Sequence, residues 1–333
     1  MSNNQENKAL VLEYFKELES VSPDNVGDVI TKYTTDDYKW FGMHPFYEQD
    51  GAAAVAETFW KPFLQSWSSV QRRQDIFMGG ISEIDGDQWV MSMGHFMGLF
   101  DRDWLGIPAT RKICLLRYAE FHCIENGLIS KTALFVDILH VMRQAGVFPL
   151  PFQTGASIVV PGPRTHDGLL FDEQDPAETK KTLELVNMML KDLTGSERFF
   201  NRNEELRRTW HEDMLWFGPE GIGSTYTVDR YIEQHQGPFR DHLHDVTFNG
   251  HISRFSEGKY ACWFGWPNLS MTSVGGFLGM PGNDNRLNMR VVDVYRRDGD
   301  KLAENWIFID LLYWLYQQGL DVLERTRKIK NHE

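Results

Sequence analysis

Cysteine is scarce in this chain: three in 333 residues, at positions 114, 123 and 262. So few and so scattered, they exclude a disulfide framework or a zinc knuckle. They read as reduced, buried thiols of a cytosolic protein. Positive charge is also short, with Lys and Arg totalling 34 against 47 acidic residues, a net charge of −13. That balance argues against nucleic acid or an anionic membrane as partner. No apolar run approaches the roughly 18 residues needed to cross a bilayer. The opening MSNNQENKALVLEYF has neither a basic start nor an apolar stretch, so no secretory signal is expected and the expected compartment is the cytoplasm. The glycine-rich Gly275-Gly276-Phe277-Leu278-Gly279 lacks the strand–turn–helix setting of a dinucleotide loop. His235, His242, His244 and His251 are close in sequence, but no carboxylate joins them at metal-ligand spacing. No metal and no organic cofactor is expected.

Aromatic residues, in contrast, are plentiful: Phe 22, Trp 11 and Tyr 11. An excess of this kind fills cores and also suits a pocket for a flat organic ligand. The chain also repeats itself. Trp40-Phe41-Gly42 returns as Trp216-Phe217-Gly218, an offset of 176 from 40 to 216. Pro62-Phe63 returns as Pro238-Phe239 at the same offset, 62 to 238 giving 176. Gly106-Ile107-Pro108 returns as Gly279-Met280-Pro281, Asp137 as Asp310 and Gly146 as Gly319, each 173 apart (137 to 310). A slowly drifting offset means small loop indels within one duplicated domain, far longer than a solenoid unit of about 20–50 residues.

Each half reads as helices first and strands after. Val11, Phe15 and Leu18 mark an opening helix. Further helical segments are expected at 25–33 and 51–66, then strands at 73–81, 88–97, 111–122 and 128–139. Asn126-Gly127 signals a tight hairpin between the last two. The second half repeats this, with strands at 244–255, 259–266, 286–296 and 302–312 and a hairpin at Asp298-Gly299. Between the halves, 151–175 is a Pro- and Gly-rich arm whose apolar 156–160 is expected to pack on a domain. Asp175-Pro176-Ala177-Glu178 then starts a helix. The expected architecture is α+β: two tandem domains, 1–150 and 176–333, each an antiparallel sheet with helices.

These landmarks resemble the SnoaL-like polyketide cyclases, in the superfamily related to nuclear transport factor two, ketosteroid isomerase and scytalone dehydratase. In the first half the matching text is Gly94-His95, Gly98, Gly106-Ile107-Pro108-Ala109-Thr110, Gly127-Leu128-Ile129, Asp137 and Arg143-Gln144-Ala145-Gly146. In the second it is Gly279-Met280-Pro281, Glu304-Asn305-Trp306, Asp310 and Gln317-Gln318-Gly319. The resemblance implies a cone-shaped fold, a curved sheet wrapped around a helix with a pocket inside. It implies cofactor-independent acid/base chemistry: loss of a proton beside a carbonyl, then intramolecular aldol-type closure of a polyketide-like or aromatic substrate. Dehydration, isomerisation or epoxide hydrolysis in the same fold, or binding and assembly without catalysis, are the alternatives. The chain departs from the family's Gly-x-Pro-Pro-Thr-Gly run, with Ala109 and Arg111 in one half and Gly282-Asn283-Asp284 in the other.

Asp137 and Asp310 each lie in an apolar run, where burial raises a carboxyl pKa towards neutral pH. They are the expected catalytic pair, with His95 serving one pocket and Glu304 the other. An aspartate at the end of a strand also caps a following helix, which is the competing role. Trp40, His44, Trp216, His211, Trp266 and Trp306 are the expected substrate contacts. The repeats diverge around the aspartates: His95 faces Trp266, Lys131 faces Glu304, Ala133 faces Trp306, and His44 faces Glu220. Two unequal pockets are therefore expected. The halves are expected to pack as an internal pseudo-dimer, with further homo-oligomerisation left open.

Overall fold

The computed structural model describes residues 3–194 and 202–331. Two sheets draw their strands from separate halves of the chain. The first runs, in spatial order, Glu48–Asp50, Thr34–Gly42, Leu128–Val136, Ile113–Glu125, Gln88–Phe100 and Trp67–Ile81. The second repeats that order with Ser224–Tyr226, Trp210–Phe217, Lys301–Ile309, Arg286–Asp298 and Tyr260–Ser273, its last edge split between Leu243–Phe248 and Ser253–Glu257. The fold is α+β, and the duplication extends to topology. One parallel pairing interrupts each antiparallel meander, between Thr34–Gly42 and Leu128–Val136 and between Trp210–Phe217 and Lys301–Ile309. The long stretch of chain between the paired strands permits it.

Several expected boundaries move. The strand expected at 244–255 is two short strands. The strand expected at 128–139 stops at Val136, because Asp137 turns the chain into the helix Ile138–Gln144. The helical stretch 52–66 contains a π-helical turn, Ala56–Trp60, and its copy recurs 176 residues on, at Ile232–Gln236 (56 to 232). Such turns interrupt the ordinary helical ladder and are frequent at functional sites. The helix Asn3–Ser20 buries Val11, Tyr14, Phe15 and Leu18 on one face.

The middle strands, Ile113–Glu125 and Leu128–Val136 in one sheet and Arg286–Asp298 and Lys301–Ile309 in the other, have two buried faces. Leu116, Tyr118 and Glu120 on one strand, and Val291, Asp293 and Tyr295 on its copy, turn inward to their own helices. The alternate residues, Ala119, Phe121 and Cys123 with Val292 and Val294, meet the other sheet instead. Phe121 packs on Phe264 with ring centroids 4.9 Å apart, and Phe135 on Trp266 at 5.4 Å. The arm pairs at Ala156 with Ser224 and at Leu169 with Phe77, thus covering an outer strand of each sheet. Val160 on the arm is buried. Among the described residues, no helix is long and apolar enough to cross a membrane.

Candidate active site

Asp137 and Asp310 lie where the halves meet, and backbone N–H groups saturate them. Asp137 Oδ1 accepts from the His140 N–H at 3.0 Å, capping its own helix. Its Oδ2 accepts from the Glu220 N–H of the other half at 2.8 Å. Asp310 repeats the pattern with Tyr313 at 3.2 Å and His44 at 2.9 Å. His44 and Glu220 are themselves 176 apart (44 to 220), so the contact is reciprocal. Arg290 also reaches Asp310, at 3.4 Å. Burial pushes the Asp310 carboxyl up to about 6, against the pull of Arg290 and the two N–H groups. The competing role, a helix cap, accounts for both carboxylates, and neither lines the large cavity described below.

The other expected site residues divide between the same interface and the surface. His95 has the strand parity of Met91 and Met93, which face the other sheet; its Nδ1 lies 3.5 Å from Asp75. Glu304 pairs with Arg296 and accepts from the Arg164 N–H at 3.1 Å. Trp306 donates to the Pro161 carbonyl at 2.9 Å, and Trp266 to Glu48 at 2.5 Å. The His44 ring bonds to the Tyr47 hydroxyl at 2.7 Å, and His211 donates to the Asp298 carbonyl at 2.8 Å. Trp40 packs among Phe46 and Phe59 in the first core. The structure places these residues at the interface, at the surface or in the core, and none of them lines the large cavity. Asp137 lines a small pocket at the interface together with Met43 and Glu220, and Trp216 lines the large cavity.

That cavity, about 530 Å³, lies inside the second half. Sheet residues Trp216, Trp263, Asp293, Tyr295 and Asn305 line it, with Tyr231, His235, Gln236 and Phe239 from the helical side. Trp216 stacks on His235 at 3.9 Å and Trp263 on His251 at 4.1 Å. Asn305 Nδ2 donates to Asp293 Oδ1 at 2.7 Å. Burial pushes the Asp293 carboxyl up to about 8, and its bonds to Asn305 and Tyr295 offset only part of that. Burial holds the His235 imidazole down to about 3; burial and then Arg254 do the same to His251. Tyr295 is raised, first by burial and then by Asp293. Arg240 is paired with the buried Glu205 at 3.1 Å. At pH 7 His235 and His251 are therefore uncharged, Asp293 is mostly protonated and Arg240 is paired.

The first half packs large rings where its copy has this room. Taking the 176 offset in the helices, Phe59 and Trp60 stand where His235 and Gln236 stand, and Trp67 where Leu243 stands (59 to 235, 67 to 243). Taking the 173 offset in the strands, Tyr118 stands where Val291 stands (118 to 291). These large rings pack on one another: Trp60 on Phe96 at 5.8 Å, Phe96 on Tyr118 at 4.4 Å, Phe63 on Trp67 at 5.3 Å. The copy of Asp293 is Glu120 (120 to 293). Glu120 bonds to Arg72 at 2.6 Å, with His122 at 3.7 Å. Burial raises its pKa, but Arg72 and His122 outweigh that and bring it to about 2. One interior carboxyl is thus an anion paired with a cation, and the other a largely neutral acid beside a cavity, bonded to Asn305 and Tyr295.

Asp293 was missed by sequence reasoning although its run, Val291-Val292-Asp293-Val294-Tyr295, carries the signal that singled out Asp137. As for metals, Asp87, Cys123 and Glu125 present ligand atoms within 4.8 Å of one another, but Lys131 already pairs with Asp87 and Ser130 with Glu125.

No family model matches the chain, and no curated protein does. Solved structures do resemble it, each over somewhat less than half its length. A candidate SnoaL-like polyketide cyclase from Jannaschia sp. CCS1 is 18% identical, covering 45% of this chain and 97% of its own, with a TM-score of 0.35. IdmH, a candidate polyketide cyclase from Streptomyces antibioticus, is 15% identical over 41% of this chain and 97% of its own, TM-score 0.34. An NTF2-like protein from Burkholderia xenovorans LB400 is 11% identical over 42% of this chain and 96% of its own, TM-score 0.33. Identities this low carry no residue's role across.

Proposed function

We propose that the second half is the working unit and that it performs acid/base chemistry beside a carbonyl in a flat, uncharged small molecule. Intramolecular aldol-type closure of a polyketide-like or aromatic substrate is the specific reaction this suits, with no cofactor required. The observation that carries the reading is the Asp293 carboxyl, bonded to the neutral Asn305 and Tyr295, in a large, aromatic-walled cavity. A carboxyl held near pH 8 is a strong base once ionised, and close enough to neutrality to be ionised in a useful fraction of molecules. Ionised Asp293 takes the proton α to the substrate carbonyl. As Asp293 takes up that proton, the Tyr295 hydroxyl turns from the carboxylate and donates to the enolate oxygen where charge develops. The enolate carbon attacks a second carbonyl of the same molecule, a carbon–carbon bond forms, and the new alkoxide takes the proton back from Asp293. The surrounding rings exclude water and hold the chain folded. The filled first half is the packing partner.

Deuterium exchange at the α-carbon of 2-tetralone, a flat bicyclic ketone, reads the proton abstraction without knowledge of the natural substrate. The protein should accelerate it, and Asp293→Asn should remove about 10²–10⁴-fold of that acceleration. Equal acceleration by the Asn variant would sink the proposal.

A further inference from the structure

His235 and Gln236 are adjacent polar residues that the proton transfer leaves unused. Both belong to the π-helical turn Ile232–Gln236, both are buried, and both line the cavity. Three of their polar atoms, His235 Nδ1, Gln236 Nε2 and Gln236 Oε1, are shielded from solvent and bond to no protein group. Buried polar atoms are nearly always paired, because an unpaired one carries the full loss of its hydration. The turn itself does not require them. Its copy, Ala56–Trp60, forms with Phe59 and Trp60 at the matching positions. The second half therefore carries, at one turn beside its cavity, an unpaired acceptor and donor where the first half carries rings. A carboxamide with both ends free matches one pattern: a donor and an acceptor side by side on the ligand.

We propose that Gln236 is the specificity-determining residue of the cavity, reading an uncharged ring ligand that presents an N–H or O–H donor next to a carbonyl acceptor. Gln236 Oε1 accepts from the ligand's donor and Nε2 donates to its carbonyl. A cyclic amide or an enolised β-dicarbonyl presents this pair. His235 Nδ1, on the same turn, supplies a further polar contact. The ligand is uncharged because, among the described residues, the cation that lines the cavity, Arg240, is already held by Glu205 at 3.1 Å. The proposal rests on the ligand occupying the second half, as above, but not on the proton chemistry of Asp293.

The test compares 2-quinolone with coumarin, which differs by an oxygen in place of the N–H, in ligand-observed NMR titrations. Wild type should bind 2-quinolone at least about tenfold more tightly, since a site built to bond a donor rejects the analogue lacking it. In Gln236→Met, of similar length, the preference should fall to within about twofold. The melting temperature should hold or rise, because two unpaired polar atoms are gone. The anion 2-naphthoate should bind more weakly than either. Equal binding of 2-quinolone and coumarin by wild type, a preference that survives in Gln236→Met, tight 2-naphthoate binding, or no binding of either neutral probe would each overturn the proposal. A preserved 2-quinolone preference with no 2-tetralone exchange would remove the acid/base reading and leave this one standing. Exchange without the preference would do the reverse.

Discussion

The Asp137 carboxylate accepts a hydrogen bond from the backbone N–H of Glu220, at 2.8 Å, across the boundary between the two halves. Asp310 does the same to His44 at 2.9 Å. Each aspartate closes its own helix with one oxygen and ties down the other half with the second. The most repeated carboxylate of the sequence therefore holds the assembly together.

Loss of either aspartate should be felt in stability. Asp137→Ala should cost about 1 kcal/mol for the lost cap and about 1–3 kcal/mol for the Glu220 N–H left buried without a partner. Calorimetric unfolding should show the loss, and 2-tetralone exchange per folded molecule should persist. An Asp137→Ala protein with unchanged melting and no exchange would return Asp137 to the chemistry.

The second carboxyl sets a pH dependence. Asp293 is raised when folded, to about 8, from the usual unfolded value of about 3.9. The folded state therefore holds this proton more tightly. Its stabilising contribution is complete below about pH 4 and is lost as pH rises through about 8. Asp293→Asn lacks this dependence, so the variant's melting temperature minus that of wild type should grow from pH 4 to pH 8 and then level off. The wild-type exchange rate should rise through the same upper limit, because the ionised carboxyl is the base. A rate that falls above pH 8 would make Asp293 a proton donor instead.

The filled half provides its own blocking groups. Val291→Tyr and Leu243→Trp copy Tyr118 and Trp67 into the cavity. Either should weaken 2-quinolone binding by at least about tenfold while the protein still folds, as the first half shows such rings can be packed at these positions. Undiminished binding would place the ligand elsewhere.

In the first half, Arg72→Met should leave Glu120 buried without its cation. Breaking a buried pair in this way costs about 3–5 kcal/mol. Urea unfolding should report it, with 2-quinolone affinity unchanged in the folded protein. A change in affinity with no change in stability would instead make the Arg72–Glu120 pair part of a binding site.

Much of the fold is legible in the sequence. The repeat offsets, the Asn126-Gly127 and Asp298-Gly299 hairpins and the helix start at Asp175-Pro176 all correspond to observed elements. The site is harder to read, for a physical reason. Alternation identifies an inner face when the other face meets water. Here both faces are buried, so the run Val291 to Tyr295 is apolar at both parities and does not reveal which face looks into the cavity. His95, Glu304 and Trp306 fall on the wrong parity by one residue. The size differences that open the second half, Phe59 against His235 and Tyr118 against Val291, are visible at the repeat offsets, but only the structure shows that they meet around one space.

The most direct test of where the ligand binds is an indole N–H spectrum of ¹⁵N-tryptophan-labelled protein titrated with 2-quinolone. Trp216 and Trp263 should shift, while Trp60 and Trp67 in the filled half and Trp266 and Trp306 at the interface should stay in place. Shifts confined to the interface or the filled half would contradict a working cavity around Asp293.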